Sequence, residues 1–216
     1  MPCIIPADDG MRLAINSDTI LAPISHIWTR DLLFLINRNR SSLGAWLPWV
    51  SQVLTRQDLN KLIHYYRKKN QQTGAFTSCI LHHGQVAGVV SINHISMPDS
   101  SASLGYWLGA EFRKKGLMRG ACSTLLDHIF FTLKLHRVSV YCATENLSSQ
   151  KIPESLGFKK EALLRDGEWL NDHYVDSFAY SILEWQWLQR RLSPAQQNRQ
   201  LESGVLSSSF AGKTSP

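Results

Sequence analysis

The chain has 216 residues, 44% hydrophobic and 19% charged, enough apolar material to close one core of roughly 100–200 residues and to exclude a disordered body. Its formal charge of +6 and pI near 9.3 suit an anionic ligand, an acidic protein surface or nucleic acid, without choosing among them. No stretch reaches the ~18 consecutive apolar residues of a membrane span, and the opening MPCIIPADDG carries no basic n-region, so neither a membrane partner nor a secretory signal is expected.

In chain order, residues 11–15 (MRLAI) alternate as a first strand. Residues 23–40 place Ile24, Ile27, Trp28, Leu32, Leu35 and Ile36 at helical spacing. In the following LGAWLPWV, Trp46, Leu47, Trp49 and Val50 are too apolar for a free loop. They suit a short helix packed on the core, one wall of an acceptor cleft, or both. Thr55 and Asp58 form a capping arrangement ahead of a helix over about 56–70 with basic residues in its last turn. AFTSCIL and QVAGVVSINHI flank His82, His83 and Gly84 as a hairpin, and a turn over 99–103 feeds the strand ASLGYWLG.

Leu117, Ala121, Leu125, Ile129 and Leu133 mark the inward face of a helix running to about Leu135. RVSVYCA is the next strand, and Asn146 caps a short helix stopped by Gly157. The stretch from Phe158 reads as an antiparallel pair turning near 170–173, then a last helical turn. Trp185 and Trp187 read as core packing. Residues 192–216 are rich in Ser, Gln and Gly and are expected to be a disordered tail behind one domain over 1–191.

The eight histidines show no paired ligand spacing and Cys3, Cys79, Cys122 and Cys142 form no C-x-x-C pair. No metal site is expected, and the thiols suit a reducing cytoplasm.

The chain is organised around residues 104–126, LGYWLGAEFRKKGLMRGACSTLL. A strand, a Gly-containing turn and a helix start leave several backbone N–H groups converging where an anion can replace the missing intrahelical acceptors. Arg113, Lys114 and Lys115 add positive charge beside them. A basic surface loop with Gly as an ordinary turn residue fits the same letters.

The spacing Arg113-x-x-Gly116-x-Met118 is similar to the pyrophosphate loop of the GCN5-related N-acetyltransferases. Together with NRNRSSLGAWLPWV (37–50), ENLSSQKIPESLGF (145–158) and EWLNDHYVDSFAYSI (168–182), it resembles the RimJ/RimL branch of that family over about residues 10–187. The resemblance implies an α/β fold. Its mixed, mostly antiparallel sheet would have splayed fourth and fifth strands and helices on both faces.

The same resemblance implies acetyl-CoA as cosubstrate, with the exposed backbone of Tyr106 to Gly109 on the splayed strand, Trp107 and Leu108 among it, pairing with pantetheine and Arg113, Lys114, Lys115, Gly116, Leu117 and Met118 receiving pyrophosphate. The missing side chain of Gly105 argues for close backbone approach there. Asn146 would lie near the pantetheine arm and Ser149 near the sulfur as general acid, although plain N-capping also accounts for both. Many relatives carry Tyr four residues after that Ser. Pro153 stands there, leaving Tyr106 and Tyr141 as spare candidates.

Glu168 matches the register of a proposed base, and a solvated hairpin carboxylate is its alternative. The implied function is acetyl transfer by direct attack of a primary amine on the thioester. The acceptor would be the N-terminal amine of an acidic ribosomal protein, with a small-molecule acceptor (antibiotic, polyamine or aminoacyl nucleotide) as the alternative. A non-catalytic acyl-CoA sensor or an RNA- or ribosome-binding module is the rival from another class. No direct nucleic-acid contact is expected, and a homodimer is left open.

Overall fold

The computed structural model describes residues 4–7 and 10–192. The strands are β1 (Ile4–Ala7), β2 (Gly10–Ala14), β3 (Thr19–Pro23), β4 (Phe76–His82), β5 (Gln85–Ser96), β6 (Ser101–Leu108), β7 (Arg137–Ala143), β8 (Lys159–Leu170) and β9 (His173–Leu183). They form one nine-stranded sheet in the order β1-β2-β3-β4-β5-β6-β7-β9-β8. Every neighbouring pair is antiparallel except β6 with β7. That pair is parallel because a helix, α4 (Leu117–Asp127), crosses over between its strands.

Two apolar layers cover the sheet. On one face lie α1 (Thr29–Arg38), α2 (Arg40–Gly44) and α3 (Arg56–Thr73), which bury Leu32, Ile36, Leu43 and Ile63 against Cys79, Leu81 and Val89. On the other lie α4 and α5 (Leu147–Leu156), with α6 (Glu184–Arg191) bringing Trp187. There Ala121, Leu125 and Ile129 meet Ile80, Val90, Leu104 and Val140. Successive residues of β4 belong to opposite layers, so a run such as Cys79, Ile80 and Leu81 is buried without alternating in polarity. Each such side chain contributes on the order of 2 kcal/mol by burial.

The sequence reading misses two strands. β1 pairs with β2, and β3 pairs in register with β4 from Thr19–His82 to Pro23–Ser78. The helical spacing read from residue 23 overlaps the second only at Pro23, and Thr19 to Ala22 carry no strand signal of their own. α1 begins only at Thr29, after a 3-10 turn over His26–Trp28. α3 runs on to Thr73 and stops at Gly74 with φ +69°, so no basic residue occupies its last turn. The helix expected to reach Leu135 leaves α geometry at Asp127 and continues as a π segment, His128–Thr132. Within the tail expected to be disordered, all beyond residue 192 lies outside the described residues, as does Cys3; Cys79, Cys122 and Cys142 are buried free thiols.

The feature that positions the site is a fork. β6 and β7 pair from Ser101–Arg137 to Leu104–Val140 and no further. Beyond Leu104, β6 stays with β5 up to the Gly88–Leu108 pair, while β7 stays with β9 through Ala143–Ser177. Each strand follows its own antiparallel partner, and a gap opens in the middle of the sheet.

Candidate active site

At the top of the fork the chain turns into the loop before α4. Asn39, buried at the end of α1, holds this loop: its Oδ1 accepts from Ala110 N–H at 2.8 Å and its Nδ2 donates to Glu111 Oε2 at 3.1 Å. Lys114 and Gly116 both take positive φ, +61° and +74°. A Cβ on Gly116 would meet nothing within 4 Å, so glycine serves the backbone conformation there and not packing. The first intrahelical bond of α4 is Gly120 N–H to Gly116 O, 2.9 Å. The N–H groups of Leu117, Met118 and Arg119 therefore precede any helical acceptor. Gly116 supplies no side-chain cap and the first turn holds no acid, so these donors and the positive end of the helix dipole are left for an anion.

Below the loop, backbone direction decides which groups face the gap. Gly109 N–H donates to Ala87 O on β5, so by strand alternation Trp107 also turns its N–H and C=O toward β5. Tyr106 and Leu108 turn theirs toward the fork. Trp107 still lines the cleft, its ring 6.2 Å from that of Trp49 on the α1 side. The gap at Gly105 has a different filling from the one the sequence suggests. A Cβ there would lie 2.3 Å from Asn93 Nδ2, so the space belongs to an asparagine side chain.

α5 forms the other bank. Asn146 Oδ1 accepts from Ser149 N–H at 3.1 Å and from Ser148 Oγ at 3.0 Å, which is the capping role, and leaves Nδ2 as the donor it can offer a ligand. Pro153 is the seventh residue of α5 and not part of its first turns. Having no N–H, it cannot bond Ser149 O. Tyr106 takes that carbonyl with its hydroxyl at 2.9 Å, pinning β6 to α5 across the fork. Burial pushes the Tyr106 phenol well above its ordinary pKa. Ser149 Oγ accepts from the Cys142 thiol at 3.4 Å, which keeps its own proton free to give; burial raises the Cys142 pKa.

The side chains of Leu104, Tyr106, Leu108 and Cys142 belong to the α4 layer, and Trp107 to the opposite one. The alternation that places Cys142 with α4 places Tyr141 on the opposite face, and Glu168, in register with Val175, shares it. The fork thus connects an α4 face with a second face walled by Trp46 and Leu47. Arg40 secures that wall, donating to Val50 O at 2.6 Å and Val53 O at 2.8 Å. Asn171, at the tip of the β8–β9 hairpin, reaches Gly44 O at 3.3 Å. Ser177 Oγ, also on this second face, is buried without a hydrogen-bond partner among the described residues.

One cleft of about 1190 Å³ contains nearly all of this. It is lined by Trp107, Leu108, Arg113, Lys114, Gly116, Leu117, Met118, Asn146, Ser149 and Glu168, but not by Lys115, whose Nζ lies 5.5 Å from the centre of the Phe112 ring. Its cations, Arg113, Lys114, Arg119 and Lys151, come from the loop, α4 and α5. Glu168 is the one acid among the described lining residues. The Glu168 carboxyl touches solvent, yet the surrounding cleft desolvates it and raises its pKa above the ordinary glutamate value.

Three other glutamates have structural partners: Glu111 with Asn39, Glu154 with the Tyr180 hydroxyl, and Glu161 with Arg137. Sequence reasoning missed Asn39, whose only signal was a polar residue closing an apolar helix face. Among the described residues no group of His, Cys, Asp or Glu is placed to hold a metal, and no helix is long and apolar enough to cross a membrane.

The family model for the acetyltransferase (GNAT) domain matches residues 21–159. YdaF of Bacillus subtilis (strain 168), named as a ribosomal N-acetyltransferase, is 30% identical over 154 residues, 71% of this chain and 84% of that protein. The ribosomal-protein-serine acetyltransferase of Escherichia coli (strain K12) is 26% identical over 169 residues, 78% of this chain and 94% of that protein. Among solved structures, the Microcin C7 self immunity acetyltransferase MccE in complex with acetyl-CoA and AMP superposes with a TM-score of 0.78 at 28% identity, covering 82% of this chain and 97% of that one.

Proposed function

Because the chain belongs to the acetyltransferase (GNAT) family and is an acetyl-CoA-dependent N-acetyltransferase, we propose that its acceptor is the N-terminal amine of a protein, a ribosomal protein in the first instance. We further propose that Glu168 and Ser149 are its base and acid. The observation that carries the assignment of roles is the fork. Its cationic α4 side and Glu168, the one carboxylate among its described lining residues, lie on opposite faces of one sheet, so the cosubstrate and the acceptor approach the same gap from two directions.

The residues present suit acetyl-CoA chemically. Uncapped N–H groups of α4 and the loop cations fit a pyrophosphate, and the strand edge at Tyr106 and Leu108 fits the pantetheine amides as a further strand would. When bound, acetyl-CoA supplies the thioester that the amine attacks. Glu168 takes the proton that an ammonium must lose before attack, and its raised pKa makes it a stronger base than an ordinary carboxylate. The Leu108 N–H, turned into the fork, offers a donor to the negative charge developing on the thioester oxygen. Ser149 gives its proton to the departing thiolate, its lone pair already engaged by Cys142.

A ribosomal acceptor is supported by the names of YdaF and the Escherichia coli relative. A small-molecule acceptor is the second reading, supported by the similarity to MccE, whose solved complex holds AMP together with acetyl-CoA. The test is Glu168→Gln with a panel of peptide amines and small amines. Turnover is expected to fall by about 10²–10⁴, while calorimetry gives an unchanged Kd for acetyl-CoA. The acetyl-transfer rate of the parent protein should fall as pH drops through the raised Glu168 pKa. Undiminished turnover in the variant removes Glu168 from the chemistry.

A further inference from the structure

We propose that Asn93 positions the acceptor by donating from Nδ2 to a carbonyl oxygen beside the reacting amine, so that the cleft is built for the α-amine of a peptide and not for a polyamine. The inference rests on the acetyltransferase reading above and goes beyond it to the chemistry of the acceptor.

Three observations lead there. The first is place. β5 is bulged between Ile92 and His94, and Asn93 projects from the bulge into the cleft wall. Leu104 belongs to the α4 layer, so a Cβ on Gly105 would point to the opposite face, and Asn93 Nδ2 occupies that direction, on the face that holds Glu168. Asn93 lies over Gly105, immediately past the last β6–β7 pair, Leu104–Val140. Any side chain at 105 would displace it, since a Cβ there would sit 2.3 Å from Nδ2. The bulge and the glycine together seat one amide at the mouth of the fork.

The second is orientation. Ser91 Oγ donates to Asn93 Oδ1 at 2.6 Å, closer than its 3.3 Å approach to Gly105 O. The acceptor end of the amide is thereby occupied. Nδ2 makes no hydrogen bond among the described residues. A donor held in a fixed direction beside a reaction centre, with no internal partner, suits an acceptor atom brought by a ligand.

The third is charge. A polyamine carries two or more ammonium groups, and each buried one needs a carboxylate. Glu168 is the one acid among the described lining residues, and the walls opposite it are Trp46 and Leu47. A peptide N-terminus brings a single amine with a carbonyl oxygen close by. Glu168 and Asn93 complement those two groups in turn.

The test compares three amines with the full-length protein: a tetrapeptide with a free N-terminus, the same peptide with a trans-alkene in place of its first peptide bond, and spermidine. The protein is expected to prefer the peptide over its alkene analogue by about 10- to 100-fold in kcat/KM, the cost of covering the Asn93 donor with an acceptor that offers it no hydrogen bond. Asn93→Ala should bring that ratio close to one through the KM of the peptide, with the Kd for acetyl-CoA unchanged. Asn93→Asp keeps the shape, removes the donor and adds a second acid. It should lose the peptide preference and gain turnover of spermidine, and it carries the test if the alanine variant does not fold. Equal use of peptide and alkene, a preference for spermidine, or a ratio unaltered in either variant overturns the inference. So does a protein that binds acetyl-CoA and acetylates none of the three. A protein that binds no acetyl-CoA at all overturns the acetyltransferase reading itself.

Discussion

Two helices of this chain begin in opposite ways. α3 starts with a reciprocal cap: Thr55 Oγ1 accepts from Asp58 N–H at 3.2 Å, and Asp58 Oδ2 accepts from Thr55 N–H at 2.9 Å. α4 starts with a glycine in left-handed geometry, no capping side chain, no acid in its first turn, and Arg113 and Lys114 beside it. The first arrangement satisfies the Thr55 and Asp58 N–H groups from within the chain and sets a carboxylate at the helix start, where it repels an anion. The second leaves its donors open, which costs stability in the empty protein and becomes useful only when an anion arrives. A missing cap is thus a mark of function when it coincides with local cations and a cleft.

The comparison is broken most severely by making α4 resemble α3. Gly116→Asp has room, since nothing lies within 4 Å of the added Cβ, and aspartate tolerates positive φ better than most residues. Its carboxylate would compete for the α4 donors and repel a pyrophosphate. Acetyl-CoA affinity is expected to fall on the order of 100-fold, the loss of one or two charge-assisted hydrogen bonds. Thermal unfolding of the ligand-free protein should move by no more than a few degrees. Calorimetry and a melting curve on the same sample decide it, and an unchanged Kd would remove the helix start from cofactor binding.

The reverse change sharpens the contrast. Thr55→Ala removes the cap of α3 and should cost about 1 kcal/mol, roughly 2–4 °C in Tm for a chain of this size. Acetyl-CoA binding and turnover should not alter. A loss of affinity here would mean that the two helix starts are coupled through the α1 layer.

How much of this was legible in the sequence follows the same divide between local and non-local causes. The α3 cap, the Gly157 stop, the hairpin at His83–Gly84 and the turn before His173 were readable because each is set by residues within a few positions of one another. β3 was not, because Thr19–Pro23 is a strand by virtue of its ladder with β4, some sixty residues away. In the cleft, Arg113, Gly116, Asn146 and Glu168 were singled out by spacing and resemblance. Asn39 and Asn93 were passed over, since an asparagine acquires its role from what it touches across the fold: the Ala110 N–H in one case, Gly105 in the other. Gly105 was read as a place of close backbone approach, and the group that approaches it is instead the Asn93 side chain of β5.

The finest separation of the two helix starts comes from pH. Hydrogen bonds from the Thr55 side chain and backbone hold the Asp58 carboxyl below the usual aspartate range. A depressed carboxylate contributes stability that is complete above its unfolded pKa and lost as pH falls through the folded one. Part of the acid-side fall in Tm, below about pH 4, should therefore belong to α3, and Asp58→Asn should flatten that part of the curve while leaving neutral-pH activity in place. α4 has no acid in its first turn to titrate. Its contribution to acetyl-CoA affinity comes from backbone donors and guanidinium and ammonium groups, none of which loses charge on the acid side. The α4 share of acetyl-CoA affinity should consequently not follow the Asp58 titration, as long as the fold persists, so that Asp58→Asn leaves the pH dependence of the Kd unaltered. A parallel loss of affinity in that range, abolished by Asp58→Asn, would show that the capped helix start also serves the open one.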